Sequence, residues 1–419
     1  MMIQELNRHV ERCLVAALVL LLTCSSLVAG DWPQWRGPTG QGFVDDANLP
    51  TTWDGKTGEN IVWKAALPKG DTPYSSPIVR GDRVFITVAM NKTREHHVLC
   101  FDKKEGTLLW DTSVPPGPWN LTDLRGGYAA STPAADAERV YVLFGSAVLA
   151  ALDFDGKIVW RIELPRHAFD VAIGCSPILY QETLILQADM VQKQSSLLAL
   201  DKKTGEIRWE VKRPEVGFAH STPTIVTVAE KPLMLIAASD ALQGVDPGTG
   251  EVRWWCKAKG DTVSPVFADG FAYVDSGRGG PGFGITVDPA MTGDVTKSAL
   301  RWSVRQIPEG FGSPIIVGPH LYRLHGPGIL KCYALADGAE VYSHRLEGAA
   351  PAVSPIATRA GTIYFASSGR SYVIKAGAAF EQVAVNNLDD PNYASPAVAE
   401  GRIYLKGQRF LYCIGRKSP

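Results

Sequence analysis

The chain reads as an all-β protein: an eight-bladed β-propeller with four-stranded antiparallel blades, its ring closed by an N-terminal strand. Two observations predict this. A Ser-Pro or Thr-Pro pair recurs at Pro77, Pro133, Pro177, Pro223, Pro265, Pro314, Pro355 and Pro396, 319 residues over seven steps. A period of about 46 residues indicates an array of supersecondary units. Between these prolines, short runs of Val, Ile, Leu and aromatic residues alternate with Gly, Asp and Pro, which is the pattern of antiparallel strands and tight turns.

The first thirty residues are expected to lie outside the array, as a secretory signal. Arg8 and Arg12, diluted by Glu11, precede the apolar stretch from Leu14 to Leu22, and small residues run up to Ala29 and Gly30. The apolar run is too short for a spanning helix, so cleavage is expected after Ala29 or Gly30, leaving no transmembrane span. Leu21-Leu22-Thr23 before Cys24 allows a lipid anchor as an alternative. Residues 31–56 read as an N-terminal extension and residues 57–419 as a single propeller.

Lysine and arginine number 42 against 43 acidic residues. No basic block points to nucleic acid. Cys13 and Cys24 fall in the signal; Cys100, Cys175, Cys256, Cys332 and Cys413 remain. With no Cys-x-x-Cys among them, they are expected as small buried side chains.

The unit that starts at Pro177 illustrates the blade. Ser176–Tyr180, Thr183–Gln187, Ser196–Asp201 and Ile207–Glu210 are four strands, with Lys202-Lys203-Thr204-Gly205-Glu206 as the tight turn before the last. Proline cannot donate to a ladder, so each Ser/Thr-Pro belongs at the start of the innermost, channel-facing edge strand. An aromatic residue closes each unit at Trp63, Trp110, Trp160, Trp209, Trp254, Trp302 and Tyr342, with Phe380 the nearest counterpart in the irregular seventh. A ring at a fixed blade position packs best against the adjacent blade. Trp63 precedes the first Ser-Pro, and the last repeat lacks a fourth strand. Asn60–Lys64 is therefore expected to supply it and close the ring.

The phrase Asp-x-x-x-Gly-x-x-x-Trp, at Asp102…Gly106…Trp110, Asp201…Gly205…Trp209 and Asp246…Gly250…Trp254, resembles the tryptophan-docking repeat of quinoprotein (PQQ-like) propellers, over about residues 57–415. The opening Asp31-Trp32-Pro33-Gln34-Trp35-Arg36-Gly37-Pro38 is similar to that of exported PQQ-like proteins common in planctomycetes. Two branches share the repeat: PQQ-dependent dehydrogenases and BamB, a non-catalytic outer-membrane assembly lipoprotein. The dehydrogenases carry a vicinal Cys-Cys pair beside the quinone and bind Ca²⁺; this chain has no such pair. The resemblance therefore implies the fold without the enzyme.

Loops entering the innermost strands share a face with those joining second and third strands. The first set contributes Arg125, Tyr128, His167, Asp170, Phe218, His220, Asp261, Glu309, Asp389 and Tyr393; the second contributes Arg278, His325 and Arg370. They would surround one channel mouth, as a polar pocket or as an ordinary solvated face. His220 and Asp261, from adjacent blades, are the foremost candidates, since a His–carboxylate pair could hold a proton or a metal. Gly277–Gly282 satisfies G-x-G-x-x-G, but the segment after it reads as a strand where a dinucleotide site needs a helix. Asp153-Phe154-Asp155-Gly156 reads as a hairpin turn, lacking the distal Glu of a calcium loop. His96 and His97 fall on opposite faces of a strand. No G-x-S-x-G or H-E-x-x-H occurs.

The leading expectation is an exported, non-catalytic binding or scaffolding module of the periplasm or cell envelope, with a protein or envelope component as partner and no cofactor. The alternatives are a quinoprotein-like oxidoreductase using PQQ with Ca²⁺, Arg125 or Arg278 pairing with its carboxylates, and a carbohydrate or metabolite binder using Tyr128, Tyr393 and Phe218.

Overall fold

A computed structural model describes residues 30–45, 48–69, 74–121, 126–164, 173–190, 194–367, 369–391 and 393–416. Eight antiparallel blades form the ring. Blade 1 consists of Ile78–Arg80, Arg83–Met90, Glu95–Asp102 and Leu108–Val114, running from the channel outward. Each later blade starts directly after its Ser/Thr-Pro. In blade 8, Ala397–Ala399, Arg402–Lys406 and Phe410–Ile414 are completed by Ile61–Ala66, which pairs antiparallel with Phe410–Ile414. The ring closes as the position of Trp63 predicts.

In blades 1 to 4, an Asp at the end of the third strand (Asp102, Asp153, Asp201 and Asp246) organises the turn. Asp102 Oδ1 accepts the N–H groups of Lys104 and Glu105, and Asp201 Oδ1 those of Lys203 and Thr204. Gly106 and Gly205 then take positive φ, 72° and 77°, which glycine adopts without steric cost.

The tryptophan sits just past a β-bulge in the outer strand, opposite a small residue of the third: Trp63 opposite Cys413, Trp110 opposite Cys100, Trp160 opposite Ala151, Trp209 opposite Ala199. Trp254 and Trp302 face Gly244 and Gly284, where a Cβ would come within 2.1 and 2.2 Å of the indole. This explains three of the five cysteines, Cys100, Cys332 and Cys413, which occupy the small-residue position; all five are unpaired and buried. The indole also reaches the next blade. Trp63 Nε1 donates to Lys103 O at 3.1 Å, Trp110 Nε1 to Phe154 O at 2.8 Å, and Trp302 Nε1 to Leu335 O at 2.7 Å, each ring lying over a turn glycine. Blade 7 differs from expectation. Its bulge places Ala384, opposite Val373, in the aromatic position. Phe380 lies before the strand, stacked on His344 at 3.6 Å.

Packing between adjacent blades makes the core. Ile78, Phe85 and Val98 of blade 1 meet Val140, Val142 and Leu152 of blade 2, all with no exposure. Such interfaces repeat around the ring.

Residues 31–45 run across the channel and satisfy the free edges of several inner strands. Trp32 exchanges two hydrogen bonds with Val79, and Pro33 O accepts Ala135 N–H. Gln41 Oε1 accepts Phe267 N–H, and Gly42 O accepts Ala357 N–H. Phe43–Val44 adds a short parallel strand to blade 7. Further on, Trp53 N–H donates to Asn386 Oδ1. A buried strand edge without such partners would leave its N–H groups orphaned.

Candidate functional site

The Ser/Thr of the repeated phrase builds the site's floor. Each backbone N–H donates to the hydroxyl of the equivalent residue in the next blade: Ser76 to Thr132, Thr132 to Ser176, Ser176 to Thr222, Thr222 to Ser264, Ser264 to Ser313, Ser313 to Ser354, Ser354 to Ser395, and Ser395 back to Ser76. The distances run from 2.8 to 3.1 Å. All eight hydroxyls accept, and among the described residues none donates, so the ring presents hydroxyl donors to the cavity it lines. Reading the proline alone missed this; the residue before it was the available signal.

Above the ring a funnel of about 540 Å³ opens, lined also by Trp35, Tyr74, His220, Thr262, Arg278, Phe311 and Tyr393. A volume of this order suits a small molecule or an inserted side-chain cluster. Trp35 comes from the segment that crosses the channel. Beside it, Arg36 is 2% exposed, and its Nη2 donates to Gln41 O at 2.9 Å and Pro314 O at 2.7 Å. Pro314 directly follows the ring residue Ser313, so the guanidinium lies beside the start of the blade 6 inner strand, outside the residues that line the funnel. Its Nε and Nη1 meet no acceptor among the described residues. Burial lowers its pKa to about 9.

Of the candidates, His220, Arg278 and Tyr393 line the funnel. His220 Nδ1 accepts Gly174 N–H at 3.0 Å, so the neutral ring carries its proton on Nε2. Its ring meets Phe218 edge-on at 4.2 Å, and the Arg278 guanidinium lies 5.8 Å from the Phe218 centroid. Arg278 Nε donates to Thr262 Oγ1 at 3.1 Å. Asp261 stands behind this group, 8% exposed, with Oδ2 at 3.9 Å from Arg278 Nε and Oδ1 unpartnered among the described residues. Burial raises its carboxyl pKa, against the lowering pull of Lys259 and Arg278. His220 and Asp261 are joined through the backbone, His220 N–H donating to Asp261 O at 2.5 Å. Tyr393 stacks on Tyr74, centroids 5.7 Å apart, across the seam between blades 8 and 1.

The other candidates lie elsewhere. Tyr128 is a core residue at 1% exposure, stacked on Trp119 at 3.8 Å, its hydroxyl accepting Leu121 N–H. It offers no platform to a ligand. His325 is fully buried, with Nδ1 3.0 Å from Pro308 O; burial lowers its pKa to about 3. Glu309, Arg370 and Asp389 do not line the funnel; Arg370 runs beside Gly348, and Asp389 accepts from Asn387. Arg125, His167 and Asp170 lie outside the described residues. Gly277–Gly282 is turn and strand, the hairpin that carries Arg278. Among the described residues no group of three His, Cys, Asp or Glu side chains could hold a metal ion, and no helix is long and apolar enough to cross a membrane.

A ring of eight four-stranded blades with this tryptophan repeat defines the PQQ-like β-propeller class. The family model described as outer membrane protein assembly factor BamB matches residues 94–344, and the chain belongs to that family. Among solved structures it is similar to BamB from Moraxella catarrhalis, with a TM-score of 0.61 and 13% identity over 86% of this chain and 98% of that one. It is similar also to a europium-containing methanol dehydrogenase, with a TM-score of 0.57 and 11% identity over 90% and 89%. These likenesses concern the fold. Curated relatives include the serine/threonine-protein kinase AfsK of Streptomyces griseus, 26% identical over 39% of this chain and 19% of its own. Methanol dehydrogenase subunit 1 of Paracoccus denitrificans is 25% identical over 33% and 25%. The matches thus span about a quarter or less of those relatives' lengths.

Proposed function

We propose that the chain is an exported, non-catalytic binding module of the cell envelope, and that its funnel mouth receives a partner protein. The observation that carries this is the rim. Phe311 and Tyr393, 45% and 41% exposed, line the same concavity as Arg278 and Trp35. Exposed aromatics with an arginine at a concavity are the side chains that anchor protein interfaces. The described lining holds one histidine, whose Nδ1 accepts Gly174 N–H, and no carboxylate. The similarity to BamB agrees with a protein partner in the envelope.

The test is capture of envelope proteins by the wild-type chain and by a Phe311→Asp/Tyr393→Asp variant. A partner held by the wild type and lost by the variant is expected. Partners retained equally by both would overturn the reading.

A quinone reading has one observation in its favour. Trp35 offers an aromatic face, and Arg278 a partner for carboxylates, within the same funnel. The calcium that accompanies the quinone does not fit the described lining, because a hard cation takes six to eight oxygen ligands, carboxylates foremost. Titration with PQQ and Ca²⁺ separates the two: thermal stabilisation with quinone absorbance in the bound fraction would favour the quinone.

A further inference from the structure

We propose that the ring of Ser/Thr hydroxyls is the floor of a saccharide-binding subsite in the funnel. The hydroxyl chemistry selects the ligand. A hydroxyl carries one donor hydrogen and two acceptor lone pairs. Each ring hydroxyl gives one lone pair to a neighbouring blade's N–H, as Thr132 does to Ser76 and Ser76 to Ser395. Its hydrogen and its second lone pair are unspent among the described residues. All eight residues line the cavity, at no more than 6% exposure. A buried floor that can both donate and accept matches a polyol, whose own hydroxyls do the same. A carboxylate only accepts, and would leave the spare lone pairs without a donor.

The walls fit the other half of a sugar. Trp35, Tyr74, Phe311 and Tyr393 line the same cavity, and Tyr74 and Tyr393 stack with centroids 5.7 Å apart. A sugar ring has an apolar C–H face as well as a rim of hydroxyls. Aromatic side chains cover such a face, and Tyr and Trp add a polar tip beside it.

Charge does not call for an anion. Arg278 alone in the described lining carries a permanent charge. Its Nε donates to Thr262 Oγ1 at 3.1 Å, and Asp261 Oδ2, outside the lining, supplies a countercharge at 3.9 Å. The guanidinium is held in place with its charge already met, and its Nη groups remain donors for sugar oxygens. The subsite needs no partner protein, and its titration contains none, so it and the partner reading fail separately.

The experiment is calorimetric titration of the mature chain with maltose, cellobiose and N,N′-diacetylchitobiose, with succinate as the anionic control. Saturable binding of at least one disaccharide, tighter than that of succinate, is expected. Ser354→Ala removes one ring hydroxyl and Trp35→Leu one aromatic face. Each should weaken binding about two- to tenfold, the scale of one neutral hydrogen bond or one aromatic contact. Ser354→Ala also frees the N–H of Ser313, so Trp35→Leu keeps the test open if that variant does not fold. No saturable heat with any of the three sugars overturns the subsite. So does succinate binding more tightly than every sugar. Sugar binding of unchanged strength in the variants would put the ligand outside the funnel and overturns it as well.

Discussion

Ser395 N–H donates to Ser76 Oγ at 3.0 Å, joining residues 319 positions apart and closing the ring of eight inter-blade hydrogen bonds. Closure is thus made twice: at the outer rim by the strand that carries Trp63, and at the channel by this bond. The proline that follows each hydroxyl residue has no N–H to satisfy. The hydroxyl residue's own N–H is the last donor before the inner strand, and the neighbouring blade accepts it.

Ser76→Ala should therefore leave Ser395 N–H buried and unpaired, a loss of about 1–3 kcal/mol. Ser76→Thr keeps the acceptor and should be close to neutral, since Thr132 and Thr222 already occupy equivalent places. Urea unfolding of the two variants checks this. Equal stability would show that the ring bond carries none of the closure.

Gly106→Ala should be among the costliest single-methyl changes in the chain. The residue has φ 72°, and its Cβ would come within 2.4 Å of the Trp63 indole. Left-handed strain and overpacking together give a loss of about 2–4 kcal/mol. Gly81, with φ 56° and nothing within 4 Å, isolates the first term. Gly81→Ala should cost about 1–2 kcal/mol, and the difference between the variants measures the docking of Trp63 on blade 1.

What was legible in the sequence follows from repetition. Eight copies of one phrase mark the blades, and Trp63 lies one strand upstream of the first, so closure could be read. Phe380 was misplaced because blade 7 carries Ala384, not an aromatic residue, opposite the third strand, so the nearest ring in the sequence lies four residues upstream, before the strand begins. His220, Arg278 and Tyr393 were legible as funnel residues because each loop starts or ends near the ring. Tyr128 has the same sequence position as a rim residue, but its ring folds back onto Trp119. Trp35 and Arg36 could not be placed at all. Their position depends on contacts with blades 5, 6 and 7, more than 200 residues away.

Asp275→Asn should both destabilise the fold and loosen the mouth. Arg323 Nε donates to Asp275 Oδ2 at 2.9 Å with both side chains buried, linking blades 5 and 6. Asp275 Oδ1 also accepts Gly277 N–H at 2.7 Å, next to Arg278. Breaking a buried pair by removing one charge costs about 3–5 kcal/mol. The expected outcome is a lower Tm, with faster amide exchange across residues 276–279 than in the other blade loops.

Acid should destabilise the protein through two buried imidazoles. His96 stacks on Phe144 with centroids 4.1 Å apart, and burial, aided by Arg161 and His97, lowers its pKa to about 3. His325 is lowered to about 3 by burial and Arg323, against the opposing pull of Asp275. In the unfolded chain both titrate near about 6.5. Between these values the unfolded state binds more protons, so stability is full above about pH 6.5 and falls as pH drops toward 3. Each histidine contributes a slope of up to about 1.4 kcal/mol per pH unit. Asp189 works the other way, because burial raises it to about 6 against the pull of Arg213. A buried acid that keeps its proton longer than in the unfolded chain gains stability as pH falls toward about 3.9. The comparison that isolates one histidine is His96→Phe, which preserves the stack on Phe144 and faces Trp119 and Tyr128 without a titrating group. Measured by urea unfolding at pH 6.5 and pH 5.0, its stability should fall less steeply than that of the wild type by about one proton's worth. Parallel slopes in the two proteins would mean that His96 takes up its proton in the fold over the same pH range as in the unfolded chain.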